Sequence, residues 1–377
     1  MTIAGVLIFI GLFSFACQNK ESTSSQKETS GTADNNAFIS KLQPAPVNGG
    51  FRMDGYWVWG GSPIRGEDGM YHLFVSRWKK DMPFYIGYVF QSEVVRAVAE
   101  EPEGPYEFAE VVLEKRGPDY WDGMMTHNPT IRKYGDTYLL FYIGATYDFP
   151  KPIIPVTQHD SLNTHEQWAM RNQVYNTIRI GLATSKSVHG PWKRLDEPVL
   201  DIRPEKWDNS VVTNPAPFIG KNGEIYLIYR SNTPEGLRLG IAKADSLGAP
   251  FVRISDEPIF HFDKKRFCED PFVWWNGERY EVIMKDLTGN ITGEWHAGVH
   301  GYSQNGIDWE IADSPKAYSR TIGWTSGDTT TQGSFERPQL LLNEKGHPTH
   351  LFAATADGSG GFRNATETWC MVVPLKN

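Results

Sequence analysis

The sequence predicts an all-β chain folded as a five-bladed β-propeller, and three observations carry that prediction. A short turn ending in Pro recurs five times, as Gly61-Ser62-Pro63, His127-Asn128-Pro129, Thr213-Asn214-Pro215, Glu269-Asp270-Pro271 and Glu336-Arg337-Pro338. Each copy leads to an aromatic-aliphatic run, at residues 71–75, 138–142, 225–229, 280–284 and 349–353. Between turn and run stands a glycine (Gly69, Gly135, Gly223, Gly277, Gly346) in a polar tripeptide, the mark of a hairpin. A unit repeated every few tens of residues cannot bury its apolar face alone, so it needs stacked or radial neighbours. A β-sandwich is the alternative, but sandwiches rarely repeat one motif in phase this often.

The prolines stand 66, 86, 56 and 67 residues apart, more than a four-stranded blade needs, which leaves room for loops on one rim. Outer strands repeat as well: residues 179–185 resemble 238–244 and, more loosely, 94–99. Gly104-Pro105 and Gly190-Pro191 mark one turn in successive blades. The longest interval holds an insertion between Thr146 and Thr177, whose Thr164-His165-Glu166-Gln167-Trp168 stretch has helical leanings. Long loops within compact domains are usually functional, so this one is expected either to wall the funnel and restrict it to chain ends or simply to decorate the surface.

With 377 residues, 40% hydrophobic and 22% charged, the chain is long enough to bury a large core. A net charge of −8 offers no electrostatic footprint for phosphate backbones, so nucleic acid is not an expected partner. The 13 Trp have two uses, packing between blades and flat platforms for the C–H faces of sugar rings. Residues 1–16 are almost wholly apolar, end in a small residue before Cys17 and give way to a Ser/Thr/Asn/Gln-rich stretch. The run is too short to span a membrane and reads as a signal segment. Ala16-Cys17 resembles the bacterial lipoprotein pattern, although no Lys or Arg precedes the run. The expected organisation is a signal peptide (1–16), a lipidated Cys17 with a flexible tether (17–37) and a propeller (38–377). A lipid anchor on an exported, envelope-bound monomer is then the expected membrane contact. Cys268 and Cys370 read as two lone buried thiols, because no spacing ties them together.

Innermost strands of a propeller converge on one axis, so equivalent positions form rings. Two residues before each Pro lie Gly61, His127, Thr213, Glu269 and Glu336, and one residue before lie Ser62, Asn128, Asn214, Asp270 and Arg337. Charge gathered on strands that face a core is either an ion-pair network or an active site. Glu269 and Glu336 are the first candidates, because neighbouring carboxylates raise one another's pKa and leave one able to donate a proton. Simple alternation along the strand would point Asp270 away from Glu269. Trp121-Asp122 and Trp207-Asp208 precede Asn128 and Asn214 at equal spacing, with Asp54 as the blade-one counterpart. Asp54, Asp122 and Asp208 either cap turns or border the funnel beside Trp57, Trp59, Trp121 and Trp207, where they would meet sugar hydroxyls.

The five-fold pattern, the Glu-x-Pro motif and the Gly-Pro-Trp turn resemble the five-bladed propeller glycoside hydrolases: family 43, the sucrose and fructan hydrolases, and family 117. The likeness covers residues 51–373. It implies a glycosidase acting on plant or algal oligosaccharides, exo-acting if the insertion closes the funnel, with Glu269 matching the family 43 general acid. Two of that family's three carboxylates find no match, since Gly61-Ser62 and Asn214 stand in their places. The base is therefore sought at Glu336, Asp122, Asp54 or, in a mixed His and carboxylate arrangement like that of family 117, His127. A non-catalytic carbohydrate-binding lipoprotein is the alternative. No metal motif or nucleotide fingerprint is present, and hydrolysis requires no cofactor; the resemblance allows a structural cation in the central channel, held by His127 and backbone or Asn oxygens.

Overall fold

The computed structural model describes residues 37–154, 165–260, 262 and 265–376. The expected signal segment, Cys17 and most of the expected tether lie outside the described residues. Blade one is β1 (Tyr56–Arg65), β2 (Tyr71–Lys79), β3 (Glu93–Ala99) and β4 (Glu107–Leu113). Blade two is β5 (Met125–Tyr134), β6 (Thr137–Ala145), β7 (Arg179–Ser185) and β8 (Lys193–Arg194). Blade three is β9 (Thr213–Ile219), β10 (Ile225–Thr233), β11 (Gly236–Ala244) and β12 (Val252–Arg253). Blade four is β13 (Cys268–Trp275), β14 (Tyr280–Asp286), β15 (Gly298–Ser303) and β16 (Glu310–Tyr318), followed by a small hairpin, β17 (Thr321–Gly323) and β18 (Thr329–Thr331). Blade five is β19 (Ser334–Leu342), β20 (Pro348–Ala356) and β21 (Thr368–Pro374).

Every blade is an antiparallel meander read from the axis outward. The inner strands close a ring, because β1 packs on β5, β5 on β9, β9 on β13, β13 on β19, and β19 back on β1. Five apolar clusters fill the five blade interfaces; Phe272, Tyr318, Phe335 and Leu351, for instance, join blades four and five. Burial on both faces of a blade explains why the strand cores read as near-continuous apolar runs rather than alternating ones, as in β6, where every residue is buried. Cys268 and Cys370 are unpaired buried thiols in different blades.

Blade five takes its outermost strand from the other end of the chain. Phe51 and Cys370 exchange backbone hydrogen bonds of 2.9 and 3.0 Å, and Lys41 and Gln43 bond to Lys376 and Pro374 further along the edge. This seam ties the N-terminal segment to the last blade and covers the outer edge of β21. Two helices lie over one end of the axis: α1 (Phe84–Gln91) between β2 and β3, and α2 (His165–Asn176) inside the blade-two insertion.

Phe51 is 1% exposed at the seam. Phe51→Ala is expected to lower unfolding free energy by about 3–5 kcal/mol, measured by urea denaturation; a loss below about 1 kcal/mol would show that the seam does not hold the N-terminal segment to the last blade.

Candidate functional site

A β-bulge interrupts every inner strand at the same height, and the residue at each bulge has a left-handed backbone: Gly60 (φ 57°), Asn128 (52°), Asn214 (53°), Asp270 (59°) and Arg337 (53°). The bulge breaks the alternation, so consecutive side chains reach the axis together. Glu269 and Asp270 both line the funnel, contrary to the expectation that the pleat would separate them. The frame of blade one also needs correction. Trp59 and Gly60, not Gly61 and Ser62, occupy the ring positions there, because the bulge precedes Pro63 by three residues instead of one. Ser62 is buried and hydrogen-bonded to Gln339. Gly60 is required by what crosses it: an added Cβ would lie 3.1 Å from Nε of Arg337.

The resulting funnel encloses about 260 Å³. One wall is aromatic, formed by Trp59, Trp78, Phe84, Tyr85, Tyr88 and Phe362. Phe84 is its centre, at 4.8 Å from Trp59, 4.9 Å from Trp78 and 5.3 Å from Phe362 between ring centroids. The facing wall is polar. Lys285, opposite Glu269 in the β13–β14 ladder, extends its ammonium between two carboxylates, 2.5 Å from Oε1 of Glu269 and in contact with Oε2 of Glu336. Arg230 donates to Oε2 of Glu269 at 3.2 Å and to the Tyr175 hydroxyl at 2.7 Å. Asp270 accepts at one oxygen from Arg337 (2.7 Å) and Asn214 (2.6 Å), and Asn128 donates to Asn214 at 3.1 Å.

This arrangement gives the carboxyl groups different proton affinities. Burial alone would raise Glu269, but the Lys285 and Arg230 charges outweigh it and hold the group down at about 2. Asp270 goes the other way, pushed up to about 6 by burial and by the negative charges of Glu269 and Glu336, against the pull of Arg337. Lys285 is raised above its ordinary value, since its carboxylate neighbours outweigh its burial. Oε1 of Glu336 and Oδ1 of Asn128 are buried acceptors with no partner. Burial and the Arg337 charge push His127 well below its usual value, so it stays neutral, with Nδ1 2.8 Å from the Ser92 hydroxyl. Glu269, which matches the family 43 acid, is thus held toward its ionised form by its cationic neighbours, and Asp270 is the carboxyl held nearer to protonation.

Of the residues singled out in the sequence, Trp59, His127, Asn128, Asn214, Glu269, Asp270, Glu336 and Arg337 line this one funnel. The others go elsewhere. Asp122 is fully buried, bound by Arg116 at 2.5 Å, Arg194 at 3.4 Å and the Tyr142 hydroxyl at 2.6 Å. Asp208 repeats the arrangement with Arg203 at 2.8 Å, Arg253 at 2.6 Å and Tyr229 at 2.8 Å. Trp121 and Trp207 stack on those same tyrosines at 6.0 Å. An added Cβ on Gly181 would sit 2.6 Å from the Tyr142 ring and 2.8 Å from Trp121, which explains the glycine there. These Trp-Asp pairs pin blades two and three internally and are not funnel groups. Asp54 lies in an exposed turn before β1, and Trp57 is buried against Phe84, its Nε1 donating to the Met82 carbonyl at 2.9 Å.

Lys285, Tyr175, Tyr88 and His296 also line the funnel without having been singled out. Lys285 had a signal: it directly follows one of the recurrent apolar runs, at the phase that Arg230 occupies in blade three. A larger cavity of about 580 Å³ sits at the far ends of the β13 and β19 strands, but its one carboxylate, Glu281, is already engaged by His300 (2.8 Å) and Arg279 (3.0 Å). It lacks the grouped carboxyls of the funnel.

No protein-family model matches the chain, and no curated protein matches it. Solved structures do. A family 117 glycoside hydrolase produced by the marine bacterium Zobellia galactanivorans superposes with a TM-score of 0.59 at 14% identity, over 89% of this chain and 90% of that one. A structure described as a glycoside hydrolase gives 0.62 at 13% identity, over 90% and 92%. A thermostable family 43 glycoside hydrolase gives 0.55 at 12% identity, over 89% and 92%. The chain thus shares the five-bladed fold of these enzymes.

Replacing Lys285 by Met would leave Glu269 and Glu336 buried without their shared counter-charge, at a cost of about 3–5 kcal/mol at neutral pH. The sign of the pH dependence should reverse. In the native protein Glu269 is depressed, so its contribution is present above about pH 4.5 and lost as pH falls toward about 2. In Lys285→Met only Arg230, on Glu269, is left to oppose burial and the mutual repulsion of the two carboxyls, which favours their protonation, and stability should recover as pH falls from 8 toward about 5. Thermal melts across that range check this; a variant that weakens on acidification from pH 8 would contradict the ammonium bridge.

Proposed function

We propose that the chain is a glycosidase that hydrolyses an O-glycosidic bond at the end of an oligosaccharide held in the central funnel. One observation carries this: oxygens of Glu269, Asp270 and Glu336 lie within 4.8 Å of one another, at different proton affinities, opposite an aromatic wall. Glycoside hydrolysis needs one carboxyl to protonate the leaving oxygen and another, ionised, to act as base or nucleophile. Asp270 fills the first role. Glu336, whose Oε1 has no partner, is the group available to take a proton from water, and Glu269 stays anionic to stabilise positive charge developing at the anomeric carbon. Aromatic faces suit the C–H face of a sugar ring. The shared fold of the glycoside hydrolases supports the same reading.

The chain-end preference rests on the small volume, about 260 Å³, below the ~300–1,000 Å³ of drug-sized sites. It rests also on the inserted helix α2, which places Tyr175 in the funnel wall. Plant or algal oligosaccharides as the source of the substrate, and display on a lipid anchor at Cys17, belong to the same proposal.

Hydrolysis should slow as pH rises through about 6, where Asp270 loses its proton. Asp270→Asn is expected to lower kcat by about 10²–10⁴-fold and to remove that alkaline fall, with the smallest loss on aryl glycosides whose leaving group needs no protonation. Equal losses on activated and unactivated glycosides would contradict the assignment. Glu336→Gln should retain monosaccharide binding while losing turnover. Binding by the native protein with no turnover of any glycoside would instead indicate a carbohydrate-binding protein.

A further inference from the structure

The cavity of about 580 Å³ at the ends of β13 and β19 is lined by four cationic side chains, Lys41, Arg279, Lys345 and Lys376, against one carboxylate, Glu281. The fold gathers them from distant parts of the chain. An antiparallel bridge between Leu42 and Leu375 sets Lys41 directly opposite Lys376, whose N–H donates to the Lys41 carbonyl at 2.7 Å. Lys345 stands on the turn between β19 and β20, and Arg279 on the turn between β13 and β14. Like charges that face one another across a strand pair repel. None of the three lysines has an acidic partner among the described residues, so the surplus of positive charge is left open to solvent on a chain whose net charge is −8.

The side-chain acceptors of this lining are largely spent. Oε1 of Glu281 takes hydrogen bonds from Asn276 (2.6 Å) and Arg279 (3.0 Å), and Oε2 takes one from His300 (2.8 Å). Oδ1 of Asn276 accepts from the N–H groups of Glu278 and Arg279, and Oδ1 of Asn343 from those of Lys345 and His347, which holds the two turns. What remains for a ligand is chiefly donors. A neutral sugar must donate as well as accept, whereas an oxyanion only accepts and matches the ammonium groups. The buried Phe38 and Trp274, with Pro348 and Leu375, add an apolar lining that a bare inorganic ion would not use. The volume lies in the ~300–1,000 Å³ range of small-molecule sites.

We propose that this cavity is a second ligand site, for an acidic sugar whose carboxylate or sulfate lies among Lys41, Lys345 and Lys376. The choice of a sugar rests on the glycosidase reading, but the choice of an anion does not. The C–H face of the ring meets the apolar lining, while the oxyanion relieves the repulsion between the facing lysines. Trp274 stands five residues beyond Glu269 on β13, roughly 16 Å along a strand, so the site is separate from the carboxyl trio. An acidic chain held here stays on the protein without taking part in the chemistry of the funnel.

The test is a calorimetric titration of the native protein and of Lys41→Gln/Lys376→Gln with the uronate, 6-sulfate and neutral forms of glucose and galactose, and with inorganic sulfate and phosphate. At low ionic strength at least one acidic sugar should bind about tenfold tighter than its neutral form, and tighter than either inorganic ion. That preference should shrink in high salt and fall about fivefold in the double variant, whose hydrolysis of a neutral aryl glycoside should match the native protein's. Lys345→Gln repeats the test from another side of the cavity and should weaken acidic sugars alone. Equal binding of acidic and neutral sugars, inorganic ions bound as tightly as acidic sugars, or a preference that survives in both variants would overturn the proposal. So would lysine-dependent binding to vesicles containing an anionic phospholipid with no acidic sugar bound, which would make this a membrane-facing surface. Lysine-dependent binding of acidic sugars without turnover of any glycoside would keep this site and remove the hydrolase. Turnover with no acid preference would do the reverse.

Discussion

Five left-handed residues, one at each bulge, set the geometry of the axis. Regular strands would send one side chain per blade inward at this height; the bulges send two in every blade but the first, where Gly60 has none, and nine side chains meet where five otherwise would. Left-handed backbone costs little at Gly60 and is tolerated by Asn128, Asn214 and Asp270, residue types that enter this region more readily than others. Arg337 has neither excuse, and strain of about 1–3 kcal/mol is typical for such a residue. It is offset by the ion pair with Asp270 and by the space over Gly60, so the two unusual residues of blades one and five depend on each other.

Once the carboxyls are gathered, the central difficulty is charge. Three buried acids this close would repel, and cationic side chains compensate them. Lys285 stands between Glu269 and Glu336, while Asp270 is served by Arg337 and an amide relay through Asn214 and Asn128. Because the ammonium reaches two acids and not the third, the trio splits into an ionised member and one that holds its proton to about pH 6. That difference is what acid-base chemistry needs from chemically similar groups. The aromatic wall, built mainly from β1, β2 and α1, supplies the apolar half that the proposed sugar site needs without adding charge.

Much of this was legible in the chain. The Pro motif and the apolar runs identify the inner hairpins, and the ring positions of blades two to five follow from them, so His127, Asn128, Asn214, Glu269, Asp270, Glu336 and Arg337 are read correctly as neighbours. Blade one was misframed because its proline sits three residues past the bulge, a displacement that a motif anchored on Pro cannot register. Alternation failed at Asp270 because a bulge has no sequence signature strong enough to override the two-residue period. The Trp-Asp repeats look like site residues for a physical reason: a buried Asp held by two arginines and a tyrosine needs partners on strands far away in sequence, and pattern reading sees only the Asp. The opposite shifts of Glu269 and Asp270 were hidden likewise, since that of Glu269 depends on Lys285 from the next strand.

The most direct test is a crystal structure of the protein with a monosaccharide product bound. The account predicts the sugar ring lying on the Trp59–Phe84–Tyr85 wall, its anomeric carbon toward Asp270 and Glu336, and the Lys285 ammonium still joining Glu269 to Glu336. A sugar seated outside the funnel, or Glu269 and Glu336 turned apart with Lys285 bonded to neither, would contradict it.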